Sequence, residues 1–325
     1  MRNYLGDDAL KETIESFLQS NRNRNNNYDC ILALSGGRDS TYLLYYIRKV
    51  LNLRVLSYSV DNGFIPYQTK QNLKNMADIL NVKLVIEKNE NLSKCIKHHF
   101  LSFIHKPSAP MIGLLCTGCR LMVTMFDDFV ERSKVPVIIS GGNPMDTTTS
   151  FKTLIMAQNP NILKENSLLL GYLFEAIKNP RWLLNYTCFV TQFKEYYFHF
   201  RPQKKFKNIL DIAPYYDYIK WDEKKVVSTI KNELGWEENM DAQSSWRGDC
   251  DIALLKLYLY KKMLGFNDRD EALSYLIRDG QISRDEALER LEKEGNIHEK
   301  KIKSILDSIG LKLSDLKIAL ETSKI

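Results

Sequence analysis

The sequence lacks a long hydrophobic run. None of its apolar stretches approaches the roughly 18 residues that a helix needs to cross a bilayer, so a membrane protein is not expected. The first residues, MRNYLGDDALKETIESF, are charged and amphipathic, whereas a secretory signal has an apolar centre. We therefore expect a cytoplasmic protein.

The chain also lacks a strong excess of one charge. It has 46 Lys and Arg residues against 40 Asp and Glu residues, which leaves a formal net charge of +6. This mild excess fits anionic ligands such as nucleotides, sugar nucleotides or tRNA, and it fits many ordinary enzymes as well. The densest basic run, RPQKKFKN at 201–208, follows the aromatic cluster at 193–200. It either binds RNA or forms a solvated segment beside a buried strip.

Short apolar runs alternate with helical patterns through the first half of the chain. Strands are predicted at 29–34, 54–63, 82–88 and 135–142, and helices at 9–20, 39–51, 67–80 and 118–133. Alternation of this kind is typical of an α/β fold, in which a parallel sheet is flanked by helices. Ligands of such sheets bind at the carboxyl ends of the strands.

The length of 325 residues favours two domains over one. Residues 1–27 are predicted to form an N-terminal helix and a polar linker, and residues 28–147 the α/β domain. Residues 148–325 change to mostly helical, aromatic-rich sequence, and we expect them to form the domain that holds the acceptor substrate.

A glycine pair joins the first strand to the next helix in the segment SGGRDS, residues 35–40. Gly36 and Gly37 allow positive φ angles and let backbone N–H groups approach an anion closely. Ser35 and Ser40 add hydroxyl donors, and the helix N-terminus adds the positive end of its dipole. Neither the GxxxxGK[ST] nor the GxGxxG pattern is present, so the commonest phosphate-binding loops do not explain this turn.

The complete segment SGGRDS resembles the PP-loop of the ATP pyrophosphatase (adenine nucleotide α-hydrolase-like) superfamily. SVDNG at 59–63 and GGNPMD at 141–146 resemble motifs that end later strands in that family. The resemblance implies a HUP-like, Rossmann-like fold with ATP and Mg²⁺ as ligands, and cleavage of ATP between the α and β phosphates. The loop would then hold the leaving pyrophosphate, which explains why the lysine of a kinase-type loop is missing.

The resemblance also implies roles for single residues, and several alternatives stay open. Asp39 orients the loop, reaches Mg²⁺, or caps the helix, whereas Asp61 is favoured as a site residue over a plain turn residue because it ends a strand. Arg38 either contacts phosphate or is solvated. The catalytic candidates are Asp39 and Asp61. The candidate ATP-binding residues are Ser35, Gly36, Gly37, Arg38, Asp39, Ser40, Asp61 and Gly141.

Six cysteines without a secretion signal favour metal or redox roles over disulfides. Cys116 and Cys119 form a CxxC pair whose spacing suits Zn²⁺, an iron–sulfur cluster or a redox pair. Cys250 lies in the polar segment SWRGDCD and is the candidate third ligand. This arrangement resembles PP-loop sulfur-inserting enzymes, including tRNA thiolases with a three-cysteine [4Fe–4S] cluster. A zinc knuckle or unliganded thiols are the structural alternative, and the remaining cysteines are expected to be core or helix thiols.

The second half resembles another branch of the same superfamily. YYDYIKWDEKKVVSTIKNELGWEEN at 215–239 and much of 258–295 are similar to the N-acetyl sugar amidotransferases of surface-polysaccharide biosynthesis. That family usually has an N-terminal cysteine-bearing segment, and no cysteine precedes Cys30 here. Its members also draw ammonia from a separate glutaminase, which this sequence does not encode.

Two enzymatic readings follow, and a third reading is a module that binds ATP without turnover. The favoured one is an ATP-dependent amidotransferase acting on a nucleotide-linked sugar, with a glutaminase subunit as partner. The alternative is a sulfurtransferase acting on tRNA or a small molecule, with a sulfur donor as partner. A homodimer is a further expectation, and the acceptor cannot be read from residues 147–210 because they carry no recognisable motif.

Overall fold

The computed structural model describes residues 4–21, 27–116, 121–144, 175, 177–186, 188–190, 208–294 and 297–322. Its centre is a five-stranded sheet in the order β3-β2-β1-β4-β5, and every neighbouring pair is parallel. The strands are β1 (Cys30–Ala33), β2 (Val55–Asp61), β3 (Lys83–Lys88), β4 (Val137–Ile139) and β5 (Leu210–Ile212). The predicted α/β fold, a HUP-like parallel sheet flanked by helices with a helical C-terminal region, is confirmed.

Six helices accompany the first four strands within the described residues. They are α1 (Asp7–Ser20), α2 (Arg38–Tyr45), α3 (Tyr67–Leu80), α4 (Glu90–His105), α5 (Ala109–Leu114) and α6 (Leu121–Ser133). A π-helical turn, Tyr46–Val50, continues α2. The predicted helix at 67–80 has the observed bounds, whereas the predicted strand at 135–142 shortens to three residues because the chain turns at Ser140 into the glycine-containing loop.

The described part of the second half is mostly helical. A 3₁₀ turn, Pro180–Leu183, and a one-turn helix, Pro214–Asp217, precede a series of longer helices. These helices are α7 (Glu223–Leu234), α8 (Asp251–Leu264), α9 (Asp268–Arg278), α10 (Arg284–Glu294), α11 (Glu299–Ser308) and α12 (Leu313–Thr322). No helix of the described ranges is both long and apolar enough to span a bilayer.

Alternate residues of β1 face two different cores. Cys30 and Leu32 are fully buried in the larger core, which includes residues of α2, α3 and α7, while Ile31 packs with Leu56 and Val130 on the opposite face. Burial on both faces explains why β1 reads as a continuous apolar run rather than an alternating one. A separate core joins α4 and α5 to the C-terminal helices α8, α11 and α12.

The two halves of the chain are joined through the sheet and through helix packing. Strand β5 lies beyond residue 147 but pairs with β4, so part of the second half completes the sheet. Helix α7 packs against α2 and α3, the two helices that follow β1 and β2. The predicted domain boundary at 147–148 stays a prediction. The packing of α7 brings the segments around residues 221–250 to the sheet edge where ligands are expected to bind.

Candidate functional site

A cavity of about 240 Å³ opens where β1 and β4 end. Strand order reverses between these neighbours, because β2 and β3 lie on one side of β1 and β4 and β5 on the other. Parallel sheets bind ligands at such a switch point. The cavity is lined by Ala33, Ser35, Gly37, Arg38, Asp39, Ser40, Gly141, Ser245, Trp246, Arg247 and Asp249.

The two glycines of the loop after β1 are required by its geometry. Gly36 has φ = 82°, in the left-handed region, and a Cβ there would lie 2.7 Å from Thr69 Cγ2. A Cβ on Gly37 would lie 2.8 Å from a carboxylate oxygen of Asp249. At Gly36 the loop backbone therefore approaches α3 more closely than a residue with a side chain permits, whereas a side chain at Gly37 would require Asp249 to move.

Hydrogen bonds hold this loop in a fixed shape. The hydroxyl of Ser40 accepts from the Ser35 backbone N–H at 3.3 Å and lies 3.2 Å from the Ser35 hydroxyl. The Trp236 indole N–H donates to the Gly36 carbonyl at 3.1 Å. A Cβ built on Gly141, two residues after β4, would lie 3.5 Å from Ser40, so the loop after β4 runs close to the start of α2. The sequence motif thus forms a braced turn at the N-terminus of α2, the arrangement that binds phosphate in many folds.

Asp39 is fixed through both of its carboxylate oxygens. Oδ1 accepts from the Trp221 indole N–H at 2.7 Å, and Oδ2 accepts from the Asn143 amide at 2.9 Å. Asn143 belongs to the loop after β4, so the carboxylate joins the two strand ends that flank the cavity. A carboxylate held by two donors in a cavity is oriented before any ligand arrives.

Arg38 lies in a buried ionic cluster rather than in solvent. Its side chain is 5% exposed, it pairs with Glu223, and Nη1 donates to the Ser245 hydroxyl at 2.8 Å. Arg290 donates to the Glu223 carboxylate at 2.7 Å and 3.0 Å, which brings a second guanidinium to the same acid. Of the two predicted alternatives for Arg38, the solvated side chain is therefore wrong. Phosphate contact by Arg38 stays a prediction.

Asp61 lies at the carboxyl end of β2, outside the residues that line this cavity. Its carboxylate accepts from the Gly63 backbone N–H at 2.8 Å and pairs with Lys70 at 2.9 Å. Burial acts to raise the pKa of Asp61, but these two hydrogen bonds outweigh burial and lower it. Asp61 thus remains ionised and orders the loop after β2, and its predicted catalytic role stays a prediction.

The segment 244–250 enters the site from the second half of the chain. The sequence pattern SWRGDC drew attention only to Cys250, yet Ser245, Arg247 and Asp249 also line the cavity. Its shape is held by the Asn239 amide, which donates to the Gly248 carbonyl at 3.0 Å. The polar, small-residue composition of this segment is the signal that could have identified it as part of the site.

The carboxylates of the cavity fit a magnesium ion. Asp39 and Asp249 both line it, and carboxylate oxygens are among the ligands that Mg²⁺ binds in nucleotide sites. Arg38 and Arg247 line the same cavity, so the acidic and basic side chains described there balance in number. Asp39 and Asp249 are the residues that would hold Mg²⁺ when a nucleotide is bound.

Two of the three predicted metal-binding cysteines lie together near the end of β2. Cys116 and Cys250 are both half-buried against the same hydrophobic core, and the Asn62 amide lies 3.6 Å from Cys250 Sγ. Cys119 lies outside the described residues. Among the residues that are described, no group of three His, Cys, Asp or Glu side chains could hold a metal ion. Thiols of this pair suit a soft metal or a cluster, with a third ligand still to be supplied.

Cys250 is expected to react slowly with iodoacetamide in metal-free protein. Burial and, to a lesser degree, the neighbouring Cys116 raise the pKa of Cys250 to about 12, although the Asn62 hydrogen bond acts against this. The reactive thiolate is then about a thousandfold rarer at pH 8 than for an ordinary cysteine. Mass spectrometry of the labelled peptide should show correspondingly slow modification in chelator-treated protein, with the urea-unfolded chain as control. Equal rates in the two samples would contradict the burial of this thiol.

Comparison with known sequences finds partial matches. Residues 252–324 match a family described as LPS biosynthesis protein WbpG-like, C-terminal domain. An uncharacterized protein of Methanocaldococcus jannaschii is 30% identical over 79 residues, which are 24% of this chain and 28% of that protein. The chain thus spans just over a quarter of the length of this relative.

Solved structures with a similar fold were also found. The U34-tRNA thiolase NcsA from Methanococcus maripaludis, solved with its [4Fe–4S] cluster, is 14% identical with a TM-score of 0.36, covering 87% of this chain and 83% of that one. NMN synthetase from Francisella tularensis is 13% identical with a TM-score of 0.40, covering 90% and 94%. NH₃-dependent NAD synthetase from Campylobacter jejuni is 12% identical with a TM-score of 0.31, covering 70% and 93%. At these values the likeness says nothing about activity.

Proposed function

We propose that the protein is an ATP-dependent adenylating transferase, which converts ATP to AMP and pyrophosphate while activating a carbonyl oxygen of its acceptor. The observation that carries this proposal is the braced loop 35–40 in the switch-point cavity, with the Asp39 carboxylate fixed beside it. The loop offers backbone and hydroxyl donors to a diphosphate, and the carboxylates offer ligands to Mg²⁺. The described cavity holds no lysine of the kind that kinase-type loops use.

The chemistry has two balanced steps. The acceptor oxygen attacks the α phosphorus, the new O–P bond forms, and the bond between the α phosphorus and the bridging oxygen breaks to release pyrophosphate. Ammonia then attacks the activated carbon, AMP leaves with the former carbonyl oxygen, and the nitrogen loses a proton. Magnesium, when bound, neutralises the charge of the leaving pyrophosphate. The chain contributes orientation and preorganised donors, so the first step needs no assigned general base.

The acceptor we propose is an N-acetyl group of a nucleotide-linked sugar used in surface-polysaccharide biosynthesis. The match of helices α8–α12 to the C-terminal domain of an LPS biosynthesis protein supports this choice. The ammonia would come from a glutaminase partner. A cytoplasmic location is proposed because nucleotide-linked sugars and ATP are available there.

The test is product analysis with ATP, Mg²⁺, ammonia and a panel of nucleotide-linked N-acetyl sugars. We expect pyrophosphate and AMP to appear in equal amounts, and only when an acceptor is present. Release of ADP and phosphate would contradict adenylation. A parallel reaction supplies sulfide in place of ammonia. A product with sulfur in place of oxygen there, and none with nitrogen in the ammonia reaction, would retain adenylation and reject the amidotransferase.

A sulfurtransferase is the second candidate, and the pairing of Cys116 with Cys250 favours it. Cys250 lies beside Asn62, which follows β2, and Cys116 is its neighbour. Cys250 also directly follows Asp249, which lines the cavity. With Cys119 as third ligand, Cys116 and Cys250 would hold a [4Fe–4S] cluster, or zinc in a purely structural site. Such a cluster would supply an open iron that carries sulfide.

Anaerobic purification separates the two candidates. We expect the sulfurtransferase to be brown, with absorbance near 400 nm and about four irons per chain that are lost in Cys250→Ala. The matched control is Cys30→Ala, since Cys30 is a fully buried core thiol on β1. A colourless, iron-free wild-type protein would reject the sulfurtransferase, whereas a cluster that depends on Cys250 would count against the amidotransferase.

A further inference from the structure

Two arginines line the cavity, and their surroundings differ. Arg38 belongs to the loop after β1, whereas Arg247 comes from the segment that precedes α8. A bound polyphosphate carries several negative charges, and its strongest contacts are charge-assisted hydrogen bonds from guanidinium groups. The question is which of the two arginines provides them.

The Arg38 side chain is buried and already bonded to other side chains of the protein. It is 5% exposed and is held by Glu223, by Ser245 and, at 5.1 Å, by the ring of Trp221. Its Nη1 is shared between the Glu223 carboxylate and the Ser245 hydroxyl, so a bond from it to a ligand would compete with a buried ion pair. The position of Arg38 in the SGGRDS motif is therefore not by itself an argument that it binds phosphate.

Arg247 is better placed for a ligand. Its side chain is 24% exposed, its guanidinium lies 4.5 Å from the ring of Trp246, and Nη1 donates to Asp268 at 2.6 Å. A guanidinium has five N–H donors in a planar fork, so one bond to a carboxylate is compatible with a second anion. The aromatic ring and Asp268 restrict its motion, which lowers the entropy lost when a ligand binds.

The backbone at Arg247 is strained. Its φ is 52°, in the left-handed region where residues with a side chain are uncommon. Strain of this kind persists only where the surroundings impose it, and it clusters at functional sites. Here Asn239 holds Gly248, and Ser244 accepts from the Trp246 backbone N–H at 3.0 Å, so the turn is fixed with Arg247 at the cavity.

From these observations we infer that Arg247, rather than Arg38, is the residue whose guanidinium binds the pyrophosphate part of ATP. This inference rests on the proposed function, since pyrophosphate is the leaving group only if ATP is cleaved between its α and β phosphates. The motif after β1 then supplies backbone and hydroxyl donors, and the second half of the chain supplies the cation. The loop alone is an incomplete phosphate site.

Calorimetric titration of the full chain with inorganic pyrophosphate, ATP and AMP, each with Mg²⁺, tests the inference. Arg247→Gln should weaken pyrophosphate and ATP binding by about 10- to 100-fold, the size expected for a charge-assisted contact. AMP binding should stay within about twofold, because AMP lacks the group that Arg247 contacts. Arg247→Lys should recover part of the lost affinity, since it restores the charge without the planar fork.

The matched control is Arg278→Gln. Arg278 is an exposed residue of α9 whose guanidinium also lies 4.5 Å from an aromatic ring, that of Tyr275, but it does not line the cavity. We expect pyrophosphate affinity within about threefold of wild type in this variant. A loss equal to that of Arg247→Gln would show a general effect of positive charge rather than a contact with the ligand, and it would overturn the inference. So would an Arg247→Gln protein that binds pyrophosphate like wild type. A wild-type protein that binds neither ATP nor pyrophosphate would instead overturn the proposed function, and the inference with it.

Discussion

Asp39→Asn is expected to lower acceptor-dependent pyrophosphate release by about 10² to 10³-fold, the usual effect of losing one preorganised electrostatic group. The substitution is nearly isosteric. The new amide oxygen can still accept from the Trp221 indole, and the new amide nitrogen can face Asn143 if that side chain turns over. The fold should therefore survive, and the lost property is the negative charge that we assign to Mg²⁺.

Steady-state rates at increasing Mg²⁺ concentrations measure this effect. The Mg²⁺ concentration for half-maximal rate should rise together with the loss of rate, if Asp39 holds the ion. A suitable control is Asp211→Asn, because Asp211 is an exposed residue of β5 that contacts Ser140 and does not line the cavity. Wild-type rates in Asp39→Asn would contradict the assigned role of this carboxylate.

Glu223→Ala is expected to lower the free energy of unfolding by about 3–5 kcal/mol, as breaking a buried ion pair generally does. Glu223 is 7% exposed and is the shared partner of Arg38 and Arg290. Its removal leaves two guanidinium groups in the interior with one acid fewer. Urea unfolding followed by circular dichroism measures the change.

The control for this prediction is Asp307→Ala. Asp307 pairs with Lys303 on the exposed face of α11, where both side chains are about half exposed. Surface pairs of this kind contribute little to stability because water screens them. If Glu223→Ala is as stable as Asp307→Ala, the ion pairs of Glu223 with Arg38 and Arg290 do not stabilise the packing of α2 against α7.

Acid unfolding should measure the contribution that the ion pairs of Glu223 with Arg38 and Arg290 make to stability. Burial acts to raise the pKa of Glu223, but its bonds with Arg290 and the charge of Arg38 outweigh burial and lower it to about 2. A group whose pKa is lower in the folded state stabilises the fold above its ordinary pKa of about 4.3. That contribution is lost as the pH falls from there towards 2. Glu223→Gln should therefore show a shallower loss of stability across this window than wild type.

Most of the sheet and the glycine loop could be predicted from local sequence. The first three strands, the helix at 67–80 and the glycine pair are signals contained within a few residues, and each appears close to its predicted position. The fourth strand is shorter than predicted, and β5 was not predicted. The partners of the loop could not be predicted in this way. Trp221, Glu223 and Asn143 reach it only through tertiary packing, and no local pattern indicates which tryptophan will contact which carboxylate.

The predicted metal-binding cysteines also show what local sequence leaves undecided. The CxxC spacing and the unusual setting of Cys250 identified residues that are far apart in sequence, and the structure brings Cys116 close to Cys250. Spacing alone does not distinguish a metal site from a pair of protonated thiols. That distinction depends on burial and on neighbouring charges, which follow from the packing of α8 against α5.

The contacts that hold the phosphate loop have a consequence for synthesis of the chain. The indole that donates to the Gly36 carbonyl lies 200 residues later, and the acid that pairs with Arg38 lies 185 residues later. The ribosome therefore completes SGGRDS long before it adds the residues that hold this loop in place. A chain that ends between residues 41 and 220 carries the whole motif but lacks Trp221, Glu223 and Trp236, which hold the loop in place. The last described residue that lines the cavity is Asp249, so shorter chains are not expected to bind ATP at the proposed site.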